Sequence, residues 1–298
     1  MKTICVTGGN GLLGGKVLAA ALGRYRLVSV DLHETSTVSN QNLEYISSDI
    51  TDKKRIYNDI VRSTPDCVIH GAAFTNVDGC ERGRATVWDV NVRGTENVAL
   101  ACKALNIKMI HLSTDYVFDG KDGPYSEEDQ PNPIGYYGIT KLESEGVVRR
   151  LLEDYVIVRA MVLYGFAPGV RMNFVTWVVD RLRRGENISI VVDQYGTPTL
   201  ADDLAEALLV IFEKDGTGIY HASGKEWMSR YDFTLRICEV FHLDPDLIVK
   251  TTTDRLNQAA PRPLRSGLKT DKIRREMGVR FSSVVDGLRT VKKQMEFE

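Results

Sequence analysis

Tyr137 and Lys141 stand four residues apart, and Ser113-Thr114 lies upstream at the end of an apolar run. If the segment after Pro133 is helical, positions 137 and 141 share a face one turn apart, so the lysine ammonium can lie beside the phenol. A free phenol, with a pKa of about 10, is a poor acid or base at neutral pH, and a neighbouring cation favours phenolate and lowers that value. The hydroxyl of Thr114 can then share the substrate oxygen with which Tyr137 exchanges a proton. Such a set suits carbonyl reduction, because a proton must reach oxygen as a hydride reaches carbon. Tyr-x-x-x-Lys also decorates ordinary helix surfaces, so the surrounding elements must decide its meaning.

Those elements begin at the first residues. Thr3 to Thr7 reads as a buried strand that runs into Gly8-Gly9-Asn10-Gly11-Leu12-Leu13-Gly14, followed by an apolar helical pattern to about Ala21. Glycines at 8, 11 and 14 let the backbone turn tightly and approach a pyrophosphate at a helix N-terminus. A second strand, Arg26 to Val30, ends on Asp31. An acidic residue there accepts hydrogen bonds from the adenosine ribose and repels a 2′-phosphate. No Lys or Arg occurs from Asp31 through Asp52, so NAD(H) is favoured and NADP(H) remains possible.

Strand and helix patterns then alternate. Strands are expected at Leu43 to Ile46, Asp66 to His70, Lys108 to Leu112, Tyr155 to Leu163, Ile188 to Val192 and Gly218 to His221. Helices are expected at Asp52 to Arg62, Arg84 to Leu105, Asn173 to Arg184 and Ala201 to Lys214. This order predicts an α/β fold, a Rossmann-like doubly wound parallel sheet with ligands at the carboxyl ends of its strands. The chain divides into a cofactor-binding domain, 1–165 plus 199–221, and a smaller, discontinuous substrate-binding region, 166–198 plus 222–298. The loop Asp119 to Gly135 is expected at the mouth of the site.

The 298 residues are 43% hydrophobic, enough for a sizeable core, and the net charge of -2 favours neither nucleic acid nor a membrane surface. Five scattered cysteines without C-x-x-C spacing argue against a disulfide framework or metal site and for a reducing, cytoplasmic compartment. The first apolar run is too short for a signal-peptide core. His70 and His111 lie in apolar strands and read as core or strand-end residues rather than metal ligands.

Taken together, Thr7 to Gly14, Asn91, Tyr137 and Lys141 resemble the extended short-chain dehydrogenase/reductase superfamily. Within it the chain is most similar to the dTDP-4-dehydrorhamnose reductases, through Leu112 to Gly120, Asp193 to Thr199, Gly218 to His221, Arg262-Pro263 and Ser266 to Leu268. The resemblance implies that Gly8, Asn10, Gly11, Leu12, Leu13 and Gly14 meet the cofactor pyrophosphate region, Asp31 its ribose, and Asp49 and Ile50 its adenine. Ala72, Ala73, Thr75, Asn91 and Ser113 would hold its inner part, with Lys141 on the nicotinamide ribose beside Tyr137, the proton donor. Thr114, Asp115, Val162 and Arg262 would contact the substrate.

The implied reaction is reduction of the C4 keto group of a nucleotide-linked 4-keto-6-deoxysugar, with dTDP-4-dehydro-L-rhamnose giving dTDP-L-rhamnose. Two positions depart from the family pattern: Val162 replaces an aromatic expected to pack on the substrate, and Phe74 stands where His is frequent. A nucleotide-sugar 4-epimerase, which needs the same Thr, Tyr and Lys, and a non-catalytic regulatory subunit like that of methionine adenosyltransferase stay open, as does a homodimer. A 4,6-dehydratase would need Glu where Tyr116 stands.

Overall fold

The computed structural model describes residues 1–38 and 40–296. Strand β1 (Thr3–Thr7) leads through the glycine turn into helix α1 (Leu12–Ala21), followed by β2 (Arg26–Asp31), β3 (Leu43–Ser47), α2 (Lys53–Ser63) and β4 (Cys67–His70). Asp52 starts α2 by accepting a hydrogen bond from the Arg55 amide at 3.1 Å. A long helical run comes next: α3 (Val77–Arg82), α4 (Arg84–Trp88), a π-helical turn at Asp89–Gly94, and α5 (Thr95–Leu105). Strand β5 (Lys108–Thr114), helix α6 (Tyr136–Leu151) and strand β6 (Tyr155–Ala160) complete the alternation.

The chain then passes through β7 (Leu163–Tyr164), α7 (Phe174–Arg183), β8 (Ile188–Val191), β9 (Tyr195–Gly196), β10 (Thr199–Leu200) and α8 (Ala201–Glu213). After these come β11 (Gly218–His221), β12 (Met228–Ser229), α9 (Arg230–Phe241), β13 (Ile248–Thr251), α10 (Asp271–Met277) and α11 (Val284–Glu296).

Seven strands form one sheet in the order β11-β6-β5-β4-β1-β2-β3, and every pairing in it is parallel. The expected doubly wound sheet is therefore present, with its reversal of strand order between β1 and β4. Its central strands β1 and β4 are buried along their whole length, while the edge strand β3 is only partly covered. Ile4, Val6, Ile69, Ile110 and Val158 pack with Val17, Leu18, Leu204 and Leu208 of α1 and α8. Cys5, Val28, Val68 and Ile157 pack on the other side with Ile56, Val98 and Val148 of α2, α5 and α6. A separate cluster holds Val175, Val178 and Leu182 of α7 against Phe233, Ile237 and Phe241 of α9, with Leu288 of α11.

Three local expectations are corrected. The helix expected over Arg84 to Leu105 is interrupted by the π turn that contains Asn91. The strand expected to reach Leu163 stops at Ala160, because Val162 takes a positive φ of 45° before β7 pairs with β10. The loop 119–135 does not form the mouth of the cleft. It is zipped to the chain near residue 265 by backbone bonds from Arg265 to Gly120 (2.7 Å), Gly123 to Arg265 (3.0 Å), and Tyr125 to Gly267 (2.8 Å).

Helix α6 lies against the turn after β5 at a glycine. A Cβ at Gly138 would stand 2.1 Å from the carbonyl oxygen of Tyr116. In an open helix, replacing Gly by Ala would stabilise by about 1 kcal/mol. Here, overpacking reverses the sign: Gly138→Ala is expected to destabilise by about 1–3 kcal/mol, read as a lower urea midpoint.

Candidate active site

A cleft of about 1540 Å³ runs along the carboxyl ends of the strands, from the glycine turn to Tyr137 and Lys141. Its floor is backbone. Gly8 has φ of 77°, and a Cβ there would lie 2.8 Å from the Ala72 amide nitrogen; one on Gly14 would lie 2.1 Å from the Gly8 carbonyl. Gly11 caps α1 without a side-chain hydrogen bond, which leaves first-turn amides for an anion. Gly8, Gly11, Leu12, Leu13, Ala72, Ala73 and Thr75 all line the cleft, as do Asp49 and Ile50.

Asp31 is half-buried at the end of β2, and its carboxylate accepts the Asn10 amide at 3.0 Å and the His33 amide at 3.3 Å. Asn10 in turn holds the following loop, donating to the Thr35 carbonyl at 2.8 Å and accepting from the Thr37 amide at 2.9 Å. Asn91 departs from its expected place on the cofactor. It does not line the cleft; it is buried, accepts the Phe74 amide at 2.7 Å, and donates to the Phe74 carbonyl (3.2 Å) and Thr140 (3.1 Å). Its π turn thus pins the loop after β4 to α6.

Thr114, Asp115, Tyr137, Lys141, Val162 and Arg262 meet at the other end of the cleft. Thr114 Oγ1 accepts the Tyr116 amide and contacts Asp115 Oδ1, both at 3.2 Å, and Ser266 donates to Asp115 Oδ2 at 2.7 Å. Burial pushes the Asp115 pKa up to about 6 against those hydrogen bonds. Arg262 pairs with Asp78 at 2.9 Å. Tyr137 packs edge-on against the ring of Tyr116, with centroids 5.6 Å apart.

The electrostatics of the pair differ from the simple expectation. Desolvation, with the charge of Asp115 adding to it, pushes the Tyr137 phenol up rather than down. Burial draws Lys141 down to about 8, opposed by Glu145. Lys141 Nζ lies 3.4 Å from His111 Nε2. His111 stacks on His70 with centroids 5.4 Å apart, and both rings are buried as expected; His70 spans Thr7 (2.6 Å) and Thr95 (3.1 Å).

Sequence reasoning missed the group beneath these residues. Glu145 accepts from Ser113 Oγ at 2.6 Å and from Arg159 Nε and Nη2 at 2.9 and 2.7 Å. The available signal was spacing: 137, 141 and 145 continue one i, i+4 row on α6.

A family profile described as RmlD substrate binding domain matches residues 1–297. The chain belongs to this family. Membership agrees with the expected place among extended short-chain dehydrogenases/reductases. The RmlD-family chain is 34% identical over 286 residues, 95% of each sequence, to the probable low-salt glycan biosynthesis reductase Agl14 of Haloferax volcanii. It is 32% identical over 312 residues to the dTDP-4-dehydrorhamnose reductase of Aggregatibacter actinomycetemcomitans, covering 99% of this chain and 100% of the other. The solved structure of Bacillus anthracis dTDP-4-dehydrorhamnose reductase in complex with NADP superimposes with a TM-score of 0.89 at 28% identity, over 99% of this chain and all of the other.

Lys141 has a folded pKa below its ordinary value, so holding its charge in the fold costs stability at neutral pH. That cost is full below about pH 8 and is relieved as pH rises toward the ordinary lysine value of 10.5. Lys141→Met is therefore expected to melt higher than the wild type at pH 7, with the gap narrowing between pH 8 and 10.5 in thermal scans.

Proposed function

We propose that this chain reduces the C4 keto group of a nucleotide-linked 4-keto-6-deoxysugar, with dTDP-4-dehydro-L-rhamnose as the favoured substrate and a nicotinamide dinucleotide as cofactor. The observation that carries the reading is the convergence of Thr114, Tyr137 and Lys141 at one end of a cleft whose other end is a glycine-lined strand-to-helix turn. The names of the relatives support the substrate class.

The residues present fit a dinucleotide. Close backbone approach at Gly8 and Gly14 leaves room at the turn for a pyrophosphate, and the half-buried carboxylate of Asp31, which lines the cleft at the end of β2, would accept from the ribose. A bound nicotinamide supplies the hydride. Thr114 Oγ1 and the Tyr137 hydroxyl hold the C4 oxygen, and Tyr137 gives its proton to that oxygen as the new C–H bond forms. Lys141 then stabilises the phenolate left behind. Asp115 and Arg262 contact the sugar nucleotide, and residues 166–198 with 222–298 form the region that receives it.

The test is oxidation of NADH or NADPH followed by near-ultraviolet absorbance, with dTDP-4-dehydro-L-rhamnose generated in situ. Rapid oxidation with formation of dTDP-L-rhamnose is expected; cofactor binding without consumption would favour a regulatory subunit instead. Tyr137→Phe is expected to lower turnover by at least about 100-fold, the lower range for a lost general acid, with NADH affinity close to the wild type. Wild-type turnover in that variant would rule out Tyr137 as the donor. Asp31→Ala is expected to shift the ratio of NADH to NADPH affinities toward NADPH; an unchanged ratio would mean that Asp31 does not read the ribose.

A further inference from the structure

Arg230 is the first residue of α9, and its guanidinium forms no ion pair or hydrogen bond among the described residues. Its Nη1 is closed off from solvent and has no partner. A buried guanidinium nitrogen left unmatched is costly, and burial draws the arginine pKa below its ordinary value. Phe174 lies against its face at 4.9 Å, which leaves the in-plane N–H groups free.

A cavity of about 30 Å³ opens beside Arg230, Gln194 and Ser266, and shares Asp115, Tyr116 and Val162 with the main cleft. Asp115 attracts the arginine across the cavity but makes no direct ion pair with it; its carboxylate oxygens take their hydrogen bonds from Thr114 and Ser266. Arg262, the other guanidinium near Tyr116, is already matched by Asp78. Val162 lines both spaces on a left-handed backbone. The N-terminus of α9 adds its own positive end to the guanidinium.

We propose that Arg230 receives an anionic oxygen of the diphosphate of the bound nucleotide sugar. This rests on the nucleotide-sugar reading above and adds to it a charge requirement at the end of the cleft nearest Tyr137. Two hydrogen bonds from a guanidinium to such an oxygen pair are charge-assisted and geometrically selective, so the arginine separates anionic from neutral groups at that position.

Calorimetric titration of the whole protein tests it, using wild type, Arg230→Gln and the charge-keeping Arg230→Lys with dTDP, dTDP-glucose and dTDP-glucuronate. NADH binding serves as the control for folding. If the diphosphate is the partner, Arg230→Gln weakens all three ligands by about 10- to 100-fold, and Arg230→Lys recovers part of the loss. A loss confined to dTDP-glucuronate overturns the inference, because the arginine would then meet a ring carboxylate that a 4-keto-6-deoxysugar lacks.

Unchanged affinity for every ligand that the wild type binds overturns the inference alone: the nitrogen is then satisfied by water. A loss matched by an equal loss of NADH affinity also overturns it, as a structural effect. Failure of the wild type to bind any of the three overturns this inference together with the nucleotide-sugar reading.

Discussion

Glu145 and Arg159 form an ion pair in which each side chain is at most 2% exposed. Two charges taken out of water are tolerated only when their geometry satisfies the remaining lone pairs and protons. Here the carboxylate accepts two bonds from the guanidinium and one from Ser113. The guanidinium lies over the ring of Phe118 at 5.1 Å and 3.5 Å from His221 Nε2. The pair therefore joins α6, β5, β6 and the end of β11 at one point. Loss of either partner would strand a buried charge, so the helix carrying Tyr137 and Lys141 has little freedom to slide relative to the strand carrying Thr114.

The same point reaches the outer parts of the molecule. His221 is kept neutral, with burial and the nearby Arg159 drawing its pKa down to about 3, and its ring meets the Tyr125 carbonyl at 3.1 Å. Tyr125 belongs to the loop zipped to residues 265–269, and Ser266 on that segment donates to Asp115 in the cleft. A chain of buried polar contacts thus runs from beneath α6, around the sheet edge, and back into the cleft. Each member hydrogen-bonds or abuts the next, which limits the cost of placing polar groups beside a parallel-sheet core.

Much of this was legible in the sequence where the signal is local. The glycine turn, the strand and helix periods, and the Tyr137/Lys141 spacing all express geometry within a few residues, and the sheet follows from their order. Missed features depend on contacts between distant segments. Val162 is β-branched, a residue type that disfavours positive φ; the structure gives it one because its carbonyl accepts the Thr199 amide at 3.1 Å as β7 meets β10. The π turn arises where Asn91 is consumed by Phe74 and Thr140, a partnership spanning 49 residues to the helix. The loop 119–135 reads by composition as part of the mouth of the site, but its backbone groups find partners on a segment near residue 265 that no local pattern announces.

Burial also explains why the resting charges at the site oppose the simplest view of a Tyr/Lys pair. A reductase needs its tyrosine protonated before the hydride moves, and desolvation, which raises the phenol, favours that form. In the proposed reaction Tyr137 gives that proton to the sugar oxygen as the C–H bond forms. Lys141, drawn down to about 8 by burial, still carries a proton at neutral pH, and its charge is worth most when an anion appears beside it in a poorly solvated cleft. Glu145, one turn further along α6, opposes the loss of that proton. The buried carboxylate that locks the helix in place thus also favours the charged form of Lys141, the form the proposed reaction needs beside Tyr137.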